Sequence, residues 1–355
     1  MNKIKVAVLF GGNSFEHEVS LNSAYNVIKN LDRDKFQVFP IGITKKGEWF
    51  FYSGDVEKIK TKEWEKEDND AILIDFNLAS KGILRVKKDS SLEQIEIDCV
   101  FPVLHGQNGE DGRIQSVLEL LNIPYVGCNS LSSALCMNKV LTHLILDFSG
   151  IKGTRWESLK KVDVKDLDAV AENIGKKLSF PIFTKPASCG SSVGIKKCKD
   201  LKSLKEGILF AFKYEDEVIC EANINGKEVE CAVLGDEENI KTSVVGQINS
   251  YREFYDYDSK YKEDSKLIIP ADIKEEVSLK IRDIAKKAFK IMRCYGLSRI
   301  DFFVDENDEI YLNEINTLPG FTNISMYTKL FEKSGILYKD LLEEIINLSL
   351  KRNKF

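Results

Sequence analysis

The stretch "SRIDFFVDENDEIYLNEINTLPG", residues 298–320, decides how this chain is to be read. Two runs rich in Ile, Phe, Val and Tyr flank a polar centre, which is the pattern of a β-hairpin. With Asn307 and Asp308 as a two-residue turn, Asp301 faces Glu314 and Arg299 faces Asn316. Residues two apart on a strand share a face, so Glu314 and Asn316 stand together, with Leu312 on the same side. Ile300, Phe302, Val304, Tyr311 and Ile315 then form the opposite, core-directed face.

Two carboxylates directly across a ladder repel, and in a partly desolvated cleft one of them is protonated unless a cation lies between them. Carboxylate and carboxamide oxygens without Cys or His suit a hard ion such as Mg²⁺, which keeps waters and shares oxygens with substrate phosphates. A solvated rim in which Arg299 neutralises the acids is the other resolution. Register alone leaves both open.

The 355 residues are too many for one average core, so two or three domains are expected. The composition, 43% hydrophobic and 30% charged with a formal net charge of -5, gives no general attraction to nucleic acid or anionic lipid, and neither is expected as a partner. The first apolar run, Val6 to Phe10, is too short for a signal-peptide core or a membrane span, which points to a cytoplasmic protein. Eight cysteines are scattered without C-x-x-C or Cys/His spacing, so reduced, mostly buried thiols are expected.

The chain opens as strand, helix, strand: Val6–Phe10, then "EVSLNSAYNVIKNL", then "FQVFPIGIT". This is the start of a parallel α/β domain. Residues 45–94, with the run "TKEWEKEDND", read as a solvated excursion. A helix follows over 113–121, and a single helix over "SLSSALCMNKVLTHLILDF" ends near Gly150. Strand, glycine loop and strand occupy 177–197, two more strands meet at "NING", and a helix over 273–295 precedes the hairpin.

The glycine loop "TKPASCGSSVG", residues 184–194, is not a Walker loop, because Lys185 precedes the glycine and no helix is signalled after it. Gly190 and Gly194 would let backbone amides approach a phosphate, with Lys185, Ser191 and Ser192 as further donors; a plain tight turn is the alternative. "GSSVG" also matches the nucleophile elbow of hydrolases, yet His17, His105 and His143 all precede Ser192, the reverse of that fold's order. The first turn lacks G-x-G-x-x-G. Two polar clusters, "NSFEHE" and "LHGQNGEDG", follow strands and fall at the carboxyl edge of a parallel sheet, where ligands bind.

Together "VLFGGNSFEHEVSLNSA", "FPVLHGQNGEDGRIQ", "PYVGCNSLSSALCMNK", "KPASCGSSVG", "EFYDYDSKY" and "RIDFF…YLNEINTLPGFT" resemble, in order and across nearly the whole chain, the D-alanine:D-alanine ligases of the ATP-grasp superfamily. The resemblance implies an α/β, ATP-grasp fold in three domains: an N-terminal parallel α/β domain (1–138), a central subdomain (139–224) and a C-terminal one (225–355). It implies a cytoplasmic homodimer that uses ATP and two Mg²⁺ ions, with Mn²⁺ as a substitute, to join two D-alanines through a D-alanyl phosphate. By the same resemblance Asp301, Glu314 and Asn316 are metal ligands, and Lys139, Lys185, Ser191, Ser192 and Lys260 hold phosphates. Glu221, Ala222, Asn223 and Ile224 line the adenine pocket, and Glu228 takes the ribose. Glu16 binds the first ammonium group in a triad with Ser191 and Tyr261, and His105 belongs to the substrate site. Arg299 and the Gly320 N–H serve the oxyanion, Ser325 receives the second carboxylate, and Met326 shapes the second-substrate pocket.

Where depsipeptide-forming relatives carry His, this chain has Tyr261, which speaks against an ester product. Relatives from vancomycin-resistance clusters often carry Arg at the place of Met326, whereas "IGITKKGEW" and "NEINTLPGFT" lean toward that branch; a D-alanine:D-serine ligase is therefore the alternative. A non-catalytic ATP-binding module is the alternative from another class. The chain departs from the family at "ASCG", where an Arg is usual, and at Asn138, Ile324 and Thr328.

Overall fold

The computed structural model describes residues 2–77, 83–249 and 266–352. Three sheets organise it. The first has seven strands: β1 (Ile4–Gly11), β2 (Phe36–Ile43), β3 (Trp49–Phe51), β4 (Asp70–Ile74), β5 (Ile83–Val86), β6 (Leu92–Gln94) and β7 (Cys99–Val103). Its heart is parallel, with β1 flanked by β2 and β7, as the opening strand–helix–strand pattern predicts. All five residues of β7 are buried, as expected of a parallel strand covered on both faces.

Residues 45–94 differ from the expected solvated excursion: β3 to β6 add antiparallel strands to this sheet. Within the acid-rich run, Trp64 is wholly buried, edge-on to Phe10 with ring centroids 5.0 Å apart. The charges around it face water while one aromatic anchors the segment.

The second sheet, in the order β10–β9–β11–β8, is formed by β8 (Trp156–Lys160), β9 (Ile182–Pro186), β10 (Lys196–Cys198) and β11 (Glu217–Ala222). The helices Leu167–Leu178 and Leu201–Ala211 cover it, each started by an aspartate N-cap, Asp166 and Asp200. The single helix expected before it is two, Ser130–Met137 and Lys139–Phe148. Asn138 breaks them: extended at ψ 106, it accepts a hydrogen bond from Leu141 N and so caps the second helix.

The third sheet is β14–β13–β12–β15–β16, from β12 (Gly226–Gly235), β13 (Ile240–Asn249), β14 (Lys266–Ile268), β15 (Gly296–Asp305) and β16 (Ile310–Asn316). Both predicted pairs of the hairpin are present, Arg299 with Asn316 and Asp301 with Glu314. The turn is not two residues long. Asp305 N donates to Glu309 O, and Asp308 takes the left-handed conformation at φ 63, so the pairing nearest the turn is offset by one residue. A bulge between Leu312 and Glu314 restores the predicted register and reverses the alternation beyond it. Leu312 therefore enters the core with Ile300, Phe302 and Ile315, and Tyr311 instead lies under the Lys152 ammonium.

Candidate active site

The ladders β12–β15 and β15–β16 set Glu230 opposite Asp301 and Asp301 opposite Glu314, a row of three carboxylates across three adjacent strands. Arg299, two residues back on β15, folds onto this row. Its Nε and Nη2 donate to Asp301 Oδ1 and Oδ2 at 2.8 and 2.7 Å, and Nε lies 3.0 Å from Glu230 Oε2. Burial disfavours the guanidinium charge, but Asp301 and Glu230 outweigh it and hold Arg299 well above its ordinary pKa. Asn316 Nδ2 donates to Asp301 Oδ2 at 2.9 Å.

Arg299 thus neutralises Asp301 as the rim alternative foresees, yet three acids face one guanidinium. An all-oxygen set of Asp301, Glu314 and Asn316 within that excess negative charge fits a hard divalent cation. Among the described residues no three His, Cys, Asp or Glu side chains form a ready-made metal cage. Phosphate oxygens from a substrate would have to complete such a site.

A second buried cluster lies on β9 and β11. Lys185 Nζ pairs with Glu221 Oε2, and His143 Nε2 donates to Glu221 Oε1 at 2.9 Å. Burial pushes the Glu221 carboxyl up, but the charges and hydrogen bonds of Lys185 and His143 prevail and hold it far below the usual carboxylate range. Trp156 stacks on His143. Lys139 begins its helix beside this cluster and donates from Nζ to Cys189 O at 2.8 Å. Burial and the neighbouring Lys185 depress its pKa, against the pull of Glu314 and Glu221.

The glycine loop carries its strain on serines. Ser191 and Ser192 have φ of 51° and 58°, and Gly194 has 75°. The buried Ser191 hydroxyl has no hydrogen-bond partner among the described residues. Ser188 N donates to Glu215 Oε2 at 2.6 Å, which ties down the start of the loop.

Glu16, just before the helix His17–Asn30, is buried against Gly106, whose left-handed backbone at φ 69 favours glycine and where a Cβ would lie 2.4 Å from Glu16 Oε2 and push that carboxylate aside. His105 Nε2 is 3.0 Å from Ser23 Oγ, and its Nδ1 donates to Leu318 O at 3.3 Å. Burial opposes protonation of His105, but the adjacent Glu110 and the charge of Glu16 raise its pKa overall. Farther along, Ser325 Oγ accepts from Thr322 N at 2.9 Å and sits where a side chain on Gly320 would collide with it, at 2.8 Å. Met326 opens the helix Met326–Lys333 with its sulfur against Gly246.

These parts border one cavity of about 740 Å³. Every predicted site residue within the described part lines it, except Asp301, which is 2% exposed. Lys260 and Tyr261 lie outside the described residues. Sequence reasoning missed Glu230, His143, Glu110 and Glu215. For Glu230 a signal existed: it is two residues beyond Glu228 on one strand and so shares its face.

Family models described as D-ala D-ala ligase N-terminus and D-ala D-ala ligase C-terminus match residues 5–128 and 145–347. A D-alanine--D-alanine ligase of Thermoanaerobacter sp. is 48% identical over 354 residues, covering 99% of this chain and 98% of the relative. That of Acetivibrio thermocellus is 46% identical over 365 residues, covering 99% and 97%. Among solved structures, the VanG D-Ala:D-Ser ligase from Enterococcus faecalis superimposes with a TM-score of 0.90 at 40% identity, covering 98% of this chain and 100% of that one. The D-alanine-D-alanine ligase from Coxiella burnetii gives 0.88 at 36%, covering 99% and 95%. Near full-length identity of this order, joined to a cavity that gathers the described residues of the family's motifs, shows that the chain belongs to the D-Ala-D-Ala ligase family.

Proposed function

We infer that this chain is an ATP-dependent ligase that joins two D-alanines into D-alanyl-D-alanine for peptidoglycan precursor synthesis. The observation that carries it is the single cavity lined from all three sheets by Glu16, Lys139, Lys185, Arg299 and Ser325. In this reading Glu16 holds the ammonium of the first D-alanine, and Lys139 and Lys185 hold the β- and γ-phosphates of ATP. The amides of the strained loop at Ser191 and Ser192 add donors, Glu221 to Ile224 line the adenine pocket, and Glu228 takes the ribose.

The first substrate's carboxylate oxygen attacks the γ-phosphorus and ADP leaves. The deprotonated amine of the second D-alanine then attacks the acyl carbon, and the negative charge that develops on its oxygen meets Arg299 and the Gly320 N–H. The C–O bond to phosphate breaks and inorganic phosphate departs. Ser325 positions the second carboxylate. Asp301, Glu314 and Asn316 would hold Mg²⁺, as two ions with Mn²⁺ as a substitute; bound there, the metal neutralises phosphate charge. Lys260 and Tyr261, on the segment outside the described residues, would shield the acyl phosphate from water and complete a triad with Glu16 and Ser191. The Ser191 hydroxyl, without a hydrogen-bond partner among the described residues, supports that role.

Purified protein should release ADP in a D-alanine-dependent manner at millimolar substrate; absence of that dependence overturns the proposal. A D-serine preference at the second site is favoured by the similarity to the Enterococcus faecalis enzyme. Against it stands Met326, an apolar side chain suited to a methyl group. Competition between D-alanine and D-serine, scored by product dipeptide, decides.

The same reading takes 1–138, 139–224 and 225–355 as domains and the cytoplasm, where ATP is supplied, as the location. No described helix is long and apolar enough to cross a membrane. An exposed apolar stripe at Leu141, Leu144 and Phe148 supports the homodimer, which sedimentation equilibrium would test.

A further inference from the structure

The carboxylate row raises a question that the proposed roles do not answer. Asp301 gives both oxygens to Arg299 and one of them also to Asn316 Nδ2. A carboxylate offers about four lone-pair sites. If Asp301 turns toward a divalent cation, its hold on the guanidinium weakens, and cation and guanidinium repel across the shared carboxylate. An oxyanion donor must nevertheless stay fixed, because its worth lies in preorganisation.

Glu230 is placed to keep it fixed. It lies on β12, on the opposite side of Asp301 from Glu314 and Asn316, which are on β16. With strands ~4.8 Å apart, Glu230 and Glu314 are separated by roughly 10 Å across the sheet. One carboxylate oxygen is 3.0 Å from Arg299 Nε, and the side chain is only 4% exposed. The Nε–H itself is donated to Asp301, so Glu230 holds the guanidinium as a buried ion pair and not through a hydrogen bond.

We propose that Glu230 is a positioning residue, a second anchor that holds Arg299 at the oxyanion site when Asp301 is drawn to a cation. Arg299 hangs between two carboxylates, of which only Asp301 belongs to the metal set. The proposal rests on the metal and oxyanion roles assigned above.

Glu230→Gln keeps the shape and removes the charge, and Glu230→Asp keeps the charge and shortens the reach. The expected result for E230Q is a kcat lowered about 10- to 100-fold, with KM for ATP within about threefold of wild type. E230D should recover part of the loss, which a merely structural defect would not show. Mn²⁺ binding in the presence of ADP, read by electron paramagnetic resonance, should stay within about threefold of wild type in both variants. A kcat for E230Q within twofold of wild type overturns the proposal. So does a tenfold loss of Mn²⁺ affinity, which would make Glu230 a ligand. If E230Q does not fold, E230D carries the test, with a smaller kcat loss of about 3- to 10-fold at unchanged Mn²⁺ affinity expected and an unaltered kcat overturning the proposal. Failure of the wild type itself to bind Mn²⁺ would instead strike the metal assignment.

Discussion

Two buried charge clusters border the same cavity and are built on opposite plans. On β9 and β11, one carboxylate, Glu221, is answered by Lys185 and His143. On β12, β15 and β16, three carboxylates lie in one row with a guanidinium folded onto it. The first is satisfied by its own residues and fixes the floor of the cavity. The second sets three carboxylates beside one guanidinium, with the Lys139 charge also reaching Glu314, and a divalent cation would suit that surplus. Charge balance therefore distinguishes the two clusters more sharply than burial does, since Glu221, Glu230 and Asp301 are all almost fully buried.

The largest expected effect falls on the balanced cluster. Glu221→Gln leaves a buried lysine without its counter-charge and should cost about 3–5 kcal/mol, read by urea unfolding. The sign with pH follows from the direction of the shift. Glu221 is held far below its ordinary value of 4.5, so its contribution is fully present above that value and fades only as pH falls through the depressed folded pKa. The gap between wild type and E221Q should be wide at neutral pH and narrow in acid. Equal stability of the two at pH 7 would mean that the cluster is not held by its charges.

Next comes the deficient cluster. Arg299→Ala should lower kcat by about 10²–10³, the cost usual for losing an oxyanion donor, while ATP binding by calorimetry is preserved. A parallel loss of ATP affinity would make Arg299 a nucleotide residue, and the contrast between the two clusters would lose its functional meaning.

How much of this was legible in the sequence follows from the range of each interaction. The pairs 299/316 and 301/314 could be read because a hairpin closes locally. The three-residue turn and the bulge at Asn313 were not, because two compensating offsets of one residue leave those same pairs in place. Glu230 meets Asp301 through a ladder whose strands are separated, among the described residues, by a helix and two strands, and no local pattern sets that register. His143 reaches Glu221 across 78 residues. The motifs of the resemblance named the residues around the cavity but not the anchors behind them, since an anchor contacts only another side chain.

Cation dependence separates the clusters by a smaller margin. Mg²⁺ with ADP at about a hundredfold over its Kd should add ~2.7 kcal/mol of stability, seen as a rise in Tm. Measured against ADP alone, Asp301→Asn should abolish the Mg²⁺-dependent part of that rise, whereas E221Q, which disturbs Lys185, should keep that part and lower the part due to ADP. The reverse pattern would assign the cation to the wrong cluster.

The smallest effect tests whether the far end of the cavity is independent of both. Gly320→Ala sets a Cβ 2.8 Å from Ser325 Oγ, which is itself held by Thr322 N and must give way. The overpacking should cost about 1–2 kcal/mol of second-substrate binding, a rise in KM for D-alanine of roughly 5- to 30-fold. KM for ATP and the Mg²⁺-dependent rise in Tm should be unchanged, because Ser325 Oγ is tied locally to Thr322 N and Oγ1. A Gly320→Ala enzyme that lost ATP affinity instead would show that the turn after β16 transmits strain into the row through Asn316, and the carboxylates would have to be treated as one unit with the substrate end.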